Sequence, residues 1–136
     1  MPTDLSQDIR DRTFRFGCDV AKLALTFAPQ PGVRCIVDQL LKAATSVGAN
    51  LEEAKAASSK REFLKFVQIS LRESRESIYW VRVCAALRLG PEELLGRLRG
   101  EGEQISRILG AIVVSTRRRL LAGYALFAFC ILHFAF

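Results

Sequence analysis

Histidine is almost absent from this chain, whose 136 residues include only His133. The four cysteines form no CxxC pair, and the histidine does not stand at a spacing typical of metal ligands. These absences argue against a zinc site. No motif marks a nucleophile or a substrate cleft, so we expect no catalytic residues, no enzymatic activity and no cofactor.

A secretory signal is also missing, because the N-terminal segment is rich in Asp and Arg. Disulfides are rare in the cytoplasm, so we interpret the cysteines as reduced residues of a cytoplasmic protein. A free cysteine usually packs like a small apolar side chain. We therefore place Cys18, Cys35 and Cys84 in or near the core.

Apolar residues recur at steps of three and four, which is typical of helices that pack on one side, and no useful strand-type alternation occurs. Four helices are predicted, over about residues 5–28, 33–57, 60–89 and from Pro91 onward. Because the connections are short, we expect an all-α, antiparallel up-down-up-down four-helix bundle. The bundle covers residues 1–119, and an apolar tail covers residues 120–136.

Local signals support these boundaries. The stretch 29–32 contains two prolines and a glycine, which end the first helix. Ser59 and Glu62 have the spacing of a capping box at the start of the third helix. Pro91 stands where its missing N–H costs nothing in the first turn of the fourth.

Each predicted helix has an inward stripe. In the first helix it is Ile9, Thr13, Phe16, Val20, Leu23 and Phe27. In the second it is Val33, Val37, Leu40, Ala44, Val47, Leu51 and Ala54. In the fourth it is Leu94, Leu98, Ile105, Ile108 and Ile112.

The third helix departs from a simple stripe. One seam reads Phe66, Ile69, Glu73, Glu76, Trp80, Val83 and Leu87, so two carboxylates replace apolar residues, and the neighbouring seam holds Ser70, Ser74 and Ser77. The second helix carries polar residues on one face. If the two helices pack together, a polar cluster forms between them from Ser46, Asn50, Glu53, Glu73 and Glu76. Buried carboxylates need partners, and Arg72 and Arg75 are the local candidates.

Three interpretations of this cluster compete. A di-iron centre would need Glu-x-x-His pairs, and no histidine accompanies these glutamates, so we expect no metal. Hydrolysis by paired carboxylates lacks a cleft and a nucleophile. We prefer a structural or subunit-contact network that fixes helix register and partner.

The stretch 46–54, SVGANLEEA, together with 59–63, SKREF, and 75–80, RESIYW, resembles the four-helix-bundle proteins encoded by intervening sequences of bacterial 23S rRNA genes, also called the S23 ribosomal-protein-like family. The resemblance covers about residues 8–119. Many members read Asn-Ile-Ala-Glu-Gly where this chain has Asn50-Leu51-Glu52-Glu53-Ala54. Ala54 in place of the family's glycine affects any contact that needs the glycine, and it does not affect the expected fold. The family's characteristic positions here are Asn50, Glu53, Phe63, Phe66 and Glu76.

The resemblance implies a ring-shaped homopentamer, no known enzyme activity and a suspected role in nucleic-acid binding. The same fold occurs in the basic pentameric accessory protein of diversity-generating retroelements, which is thought to engage a reverse transcriptase and RNA. The expected partners are therefore further copies of this chain and an RNA or ribonucleoprotein.

The net charge of +6, with 15 arginines against 5 lysines, suits a polyanionic partner but also fits a solvated basic surface. We predict two candidate nucleic-acid-binding tracks. The first lies on and after the fourth helix: Arg97, Arg99, Arg107, Arg117, Arg118 and Arg119. The second begins the third helix: Lys60, Arg61 and Lys65. Neither track contains interleaved aromatic residues, so we expect contacts to the nucleic-acid backbone and shape.

The tail from Leu120 to Phe136 carries no charge apart from a neutral His133. Its 17 residues are near the lower limit for a membrane span, and Arg117–Arg119 suit a cytoplasmic flank. A membrane anchor through Leu120–Phe136 is one hypothesis. The alternatives are a functionless extension and a continuation of the fourth helix that packs on the bundle or ring.

The leading functional hypothesis is a non-enzymatic oligomeric protein that binds RNA or a ribonucleoprotein. The alternative is a structural or interaction protein of a mobile element without nucleic-acid binding. Membrane tethering through the tail is compatible with either.

Overall fold

A computed structural model describes residues 5–27 and 30–134, with side chains described for residues 8–27 and 30–123. Four helices make up nearly all of these ranges: α1 (Leu5–Ala24), α2 (Pro31–Lys55), α3 (Lys60–Ala86) and α4 (Glu92–Phe134). No strand occurs in the described part of the chain. The all-α prediction is confirmed.

The starts and ends of the helices follow local chemistry. Pro31 begins α2, and Ser59 caps α3 by accepting a hydrogen bond from the Glu62 N–H at 3.1 Å. The Glu62 carboxylate accepts from the Ser58 N–H and hydroxyl, both at 2.7 Å, so the capping box engages the residue before the cap. The third helix ends three residues before the predicted Leu89. Arg88 and Gly90 adopt left-handed φ values of 54° and 94° and turn the chain towards α4.

The four helices are antiparallel neighbours in a square. Each helix packs against the next along the chain, and α1 packs against α4; within the described residues, the backbones of the diagonal pairs stay further apart. Near the start of α1, Arg10 approaches Glu52 near the end of α2 at 3.9 Å. The Ser70 hydroxyl of α3 donates to the Val47 carbonyl of α2 at 2.7 Å. The up-down-up-down bundle is confirmed.

The core stripes of α1 and α2 agree with the prediction. Every residue of the two predicted stripes is buried except Phe27 and Val33, which are half-buried at the helix ends. The buried members are Ile9, Thr13, Phe16, Val20, Leu23, Val37, Leu40, Ala44, Val47, Leu51 and Ala54.

The predicted stripe of α4 is partly wrong. Leu94, Ile108 and Ile112 are half-buried at the edge of the core. The buried stripe is Leu95, Leu98, Gly102, Ile105, Leu109 and Val113. Gly102 explains the difference, because a Cβ there would lie 3.0 Å from Ile78 Cγ1 and 3.5 Å from Phe16 Cζ. Close packing at a residue without a side chain sets the register of α4.

The predicted inward seam of α3 is also wrong. The residues that face the core are Val67, Ser70, Leu71, Ser74, Ser77, Val81 and Cys84. The three serines have no exposed surface, and each hydroxyl donates to a carbonyl: Ser70 to Val47 O, Ser74 to Gly102 O and Ser77 to Glu73 O. The Ser74 and Ser106 hydroxyls also share a hydrogen bond. Small side chains let α3 lie close to α2 and α4, and their hydroxyls are satisfied without water.

The cysteine prediction holds for two of three residues. Cys84 is fully buried and Cys18 is half-buried, but Cys35 is exposed. Cys35 lies two residues before the buried Val37, so helical geometry turns it away from the stripe of α2. Burial raises the pKa of the Cys84 thiol. Cys130 lies outside the residues whose side chains are described.

The tail continues α4 without interruption. The helix passes the predicted boundary at residue 119 and runs to Phe134. The backbone is therefore helical, as expected if the tail continues the fourth helix. Leu121 is 68% exposed. Within the described residues, no helix is long and apolar enough to cross a membrane. The anchor hypothesis depends mainly on residues 124–136, which lie outside the described side chains.

Candidate nucleic-acid interface

The predicted track on α4 is divided between two sides of the helix. Arg97 lines a groove between α1 and α4, whereas Arg99 lines a groove between α3 and α4. Two residues turn the helix by about 200°, which accounts for the separation. The remaining members, Arg107, Arg117, Arg118 and Arg119, are all exposed. The structure therefore does not bring the six arginines together on one face.

The groove beside Arg97 is electrically balanced. Arg12, Arg15 and Arg97 line it together with three carboxylates, those of Asp8, Asp19 and Glu101. Arg12 donates to both carboxylate oxygens of Glu101, at 2.9 and 2.8 Å, and this hydrogen bonding raises the pKa of Arg12. A polyanion gains little from such a neutral surface, so Arg97 contributes little to a basic site.

Sequence reasoning missed three arginines of α3 as binding candidates. Arg72, Arg75 and Arg82 are exposed, and Tyr79 lies among them with 55% of its surface exposed. Their spacing of three and seven residues places them on one side of the helix, away from the buried serines. Among the described residues no carboxylate forms an ion pair with any of the three arginines. The expected pairing of Arg72 and Arg75 with buried glutamates is therefore wrong.

The two helices together form one basic face. Ser74 and Ser106 join α3 and α4 at 2.6 Å, and Arg82 and Arg99 line the same groove further along. Arg117 follows Arg99 by 18 residues, which is five helical turns, so both lie on the same side of α4 about 27 Å apart. We define the basic face as Arg72, Arg75, Arg82, Arg99, Arg107 and Arg117.

One arginine of this face is paired with a carboxylate: Arg99 Nε donates to Glu103 Oε1 at 2.9 Å. The spacing that places these arginines together was present in the sequence. Recognising it required knowing that the serine seam is buried.

One residue of the second predicted track, Lys65, lies on the same side of α3 as Arg72. Lys60, Arg61 and Lys65 are exposed, and Lys65 precedes Arg72 by seven residues, two helical turns. The Lys65 ammonium lies 5.7 Å from the centroid of the Phe66 ring. Lys65 therefore extends the basic face towards the connection between α2 and α3.

The predicted polar cluster between α2 and α3 is not buried. Glu53 and Glu76 are exposed, while Ser46, Asn50 and Glu73 are half-buried. The Asn50 amide donates to the Ser46 carbonyl of its own helix at 2.8 Å. Trp80 Nε1 donates to Glu76 at 3.2 Å. Glu73 and Glu76 reach water because the seam of Ser70, Ser74 and Ser77 faces the core, and the seam that contains the two glutamates does not.

The same side of the bundle also carries half-exposed apolar residues. We call this surface the motif face: Ser46, Asn50, Glu53, Ile69, Glu73, Glu76, Trp80 and Leu87. Within the described residues no three histidine, cysteine or acidic side chains come together as metal ligands. The expectation that the protein uses no metal stays a prediction.

Comparison with known proteins identifies the family. The family model of the 23S rRNA-intervening sequence protein matches residues 6–111. The chain belongs to this family. A crystal structure of a protein of unknown function from the S23 ribosomal protein family of Bacteroides thetaiotaomicron is similar, with a TM-score of 0.72 and 24% identity over 77% of this chain and 97% of that one. No curated protein gives a significant match.

The match to the 23S rRNA-intervening sequence protein family covers most residues of both faces. Residues 6–111 include the whole motif face and the basic face as far as Arg107. Arg117 and the tail lie beyond it. The similar structure supports the fold of this family member.

Proposed function

We propose that this member of the 23S rRNA-intervening sequence protein family is a non-enzymatic, homo-oligomeric protein that binds RNA, alone or in a ribonucleoprotein, through the sugar–phosphate backbone. The observation that carries this proposal is the basic face, on which three arginines of α3 without a carboxylate partner lie beside the arginines of α4. Like charges held on one surface repel each other, and a polyanion relieves that repulsion.

Arginine chemistry favours phosphate as the ligand. A guanidinium presents five N–H donors in a planar fork and binds phosphate oxygens in pairs. The basic face extends about 27 Å along α4. A polynucleotide strand can place several successive phosphates along a surface of this length, whereas a small anion cannot span it.

The oligomeric part of the proposal is supported by the motif face. Ile69 and Trp80 are half-exposed there, and Leu87 is 55% exposed. Contiguous apolar residues at the surface, edged by polar ones, are typical of protein–protein contacts. The family resemblance suggests five subunits, and a ring repeats the basic face once per subunit.

Binding of a fluorescently labelled RNA of about 20 nucleotides, longer than the 4–16 nucleotides of common single-strand sites, tests the proposal. The triple variant Arg72→Ala/Arg75→Ala/Arg82→Ala should lose at least tenfold in affinity. Its log–log salt slope should fall by about 2, since each single-strand phosphate contact contributes about 0.7. Anisotropy titrations between 50 and 200 mM salt, the range over which counterion release changes affinity, measure both.

A matched triple variant, Lys22→Ala/Arg34→Ala/Lys55→Ala, removes the same charge from exposed positions of α1 and α2. It should bind RNA nearly as well as the unaltered protein. Equal losses in the two triple variants would contradict a localised face. RNA binding that is absent or insensitive to salt would contradict the function itself.

A second candidate is a structural or interaction protein without a nucleic-acid role. The apolar part of the motif face favours it, since that surface suits a protein partner independently of charge. An oligomer that binds no RNA at low salt would select this candidate over the first.

A further inference from the structure

A groove lies between the C-terminal half of α3 and the first turns of α4. Its volume is about 560 Å³. Ala85, Ala86 and Leu95 give it an apolar lining, while Tyr79, Arg82 and Arg99 supply an aromatic ring and two guanidinium groups. The ring of Tyr79 distinguishes this groove from the rest of the basic face, which carries charge alone.

Tyr79 is fixed but accessible. Its ring contacts Trp80 edge to face, with centroids 5.0 Å apart and an interplanar angle of 75°. This contact orients the ring, yet 55% of the side chain stays exposed to solvent. An exposed, oriented aromatic ring on a basic surface is the usual stacking platform for an unpaired nucleobase.

Gly96 leaves room beside that ring. A Cβ at this position would meet no atom within 4 Å, so at Gly96 the α4 wall of the groove is bare backbone facing open space. A flat ligand can therefore approach α4 closely. Arg99 uses one N–H for Glu103, which leaves its other donors for a phosphate. The Glu92 side chain, also in the lining, offers an acceptor to exocyclic amino groups of bases.

We infer that this groove, which we call the Tyr79 groove, holds one unstacked nucleotide of single-stranded RNA, with its base on Tyr79 and the adjacent phosphates on Arg82 and Arg99. The inference rests on the proposed RNA binding and adds to it the class of RNA. In a duplex the bases are paired and stacked, so their faces cannot reach the ring. The groove therefore distinguishes single strands from double strands.

Four variants of the full chain test the inference. Tyr79→Ala removes the ring and Tyr79→Phe retains it. Gly96→Leu fills the groove without changing charge, and Gly123→Leu introduces the same side chain at another exposed α4 position with open space around it. The probes are a labelled single-stranded RNA without self-complementarity and the same RNA annealed to its complement.

We expect Tyr79→Ala and Gly96→Leu each to weaken single-strand binding about tenfold, the loss typical of one stacked base. Tyr79→Phe and Gly123→Leu should bind like the unaltered protein. Duplex binding should not change in any of the four. The salt slope should also stay the same in Tyr79→Ala, whereas the arginine triple variant lowers it.

Trp80 provides an independent readout, because it is the single tryptophan of the chain and touches Tyr79. Single-stranded RNA should change its fluorescence, and Gly96→Leu should abolish that change. If Tyr79→Ala and Gly96→Leu both bind single strands normally, or if duplex binding falls equally, the Tyr79 groove is not a base site and the basic face stands. If the unaltered protein binds neither RNA, both proposals fail.

Discussion

Glu73 is a half-buried carboxylate on α3 with Glu76 three residues away. Burial raises its pKa, repulsion from Glu76 raises it further, and Lys42 of α2 partly opposes both. A raised pKa means that the folded state holds this proton more tightly than the unfolded state. The stability of the fold therefore declines as the pH rises from about 4.5, the ordinary value, through the raised value, and stays lower at neutral pH.

Glu73→Gln should accordingly raise the midpoint of thermal unfolding at pH 7, because an uncharged amide lacks the penalty of the ionised carboxylate. The gain should shrink as the pH is lowered below about 4.5, where the carboxylate is protonated in both states. Circular dichroism melts over this pH range measure it. Glu53→Gln, at an exposed position of α2, is the control, and its midpoint at pH 7 should differ little from that of the unaltered protein. A lower midpoint for Glu73→Gln at pH 7 would contradict this account.

Single residues also show what could not be predicted from the sequence. Ser70, Ser74 and Ser77 were recognised as a small polar seam, but hydropathy alone gave no reason to bury them. Their hydroxyls bond to carbonyls of α2, α3 and α4, so they need no water. Whether such acceptors exist depends on neighbouring helices, and that information is not contained in the spacing of one helix.

Among the elements, α1 and α4 form the smallest of the four helix–helix interfaces. Arg12 spans it through a bidentate contact with Glu101 and a further hydrogen bond to Gln104 at 2.9 Å. The Arg12 side chain is 20% exposed and that of Glu101 is 35% exposed. Because the contact is bidentate and partly buried, this pair should stabilise the fold more than an ordinary surface ion pair does.

A double-mutant cycle with Arg12→Ala and Glu101→Ala should give a coupling energy of about 1 kcal/mol, the upper end for pairs near the surface. Urea unfolding of the four proteins measures it, and added salt should reduce it. The pair Asp19–Lys22, with side chains 54% and 76% exposed, serves for comparison and should couple by about 0.3 kcal/mol. Equal coupling in the two pairs would show that the bidentate contact adds nothing.

The helices themselves were largely predictable, since proline, glycine and an N-cap serine set their limits and the stripes of α1 and α2 are regular. The register of α4 was not. Leu94 and Leu95, Ile108 and Leu109, and Ile112 and Val113 are adjacent apolar pairs, so the apolar pattern fits two registers. Gly102 decides between them by its contact with Ile78, which belongs to another helix.

At the scale of the whole molecule, α3 separates two surfaces with different chemistry. The basic face lies on its α4 side and the motif face on its α2 side. The family resemblance predicted residues of the motif face, whereas the basic face was predicted only in part. A track read along one helix ignores which neighbour each side chain meets, and this is why Arg97 and Arg99 were grouped although they lie in different grooves.

Separate faces have a consequence for assembly. A closed ring uses two different patches on each subunit, so a binding surface for RNA must lie outside both of them. If the motif face supplies one of the patches, the basic face stays open in every subunit. A change on the motif face should then alter the number of subunits, and RNA affinity should fall only through the loss of repeated sites.

Leu87→Glu tests this arrangement, because residue 87 is 55% exposed and a charge there should not unfold the monomer. In a subunit contact, the same charge would be buried without a partner, which is costly. Light scattering after size exclusion should show the mass of the unaltered oligomer fall towards the 15.2 kDa of one chain. Leu25→Glu, at a position 86% exposed after α1, should leave the mass unchanged. An unaltered mass in Leu87→Glu would place the contact elsewhere, and a monomeric unaltered protein would remove the ring and the repetition of the basic face.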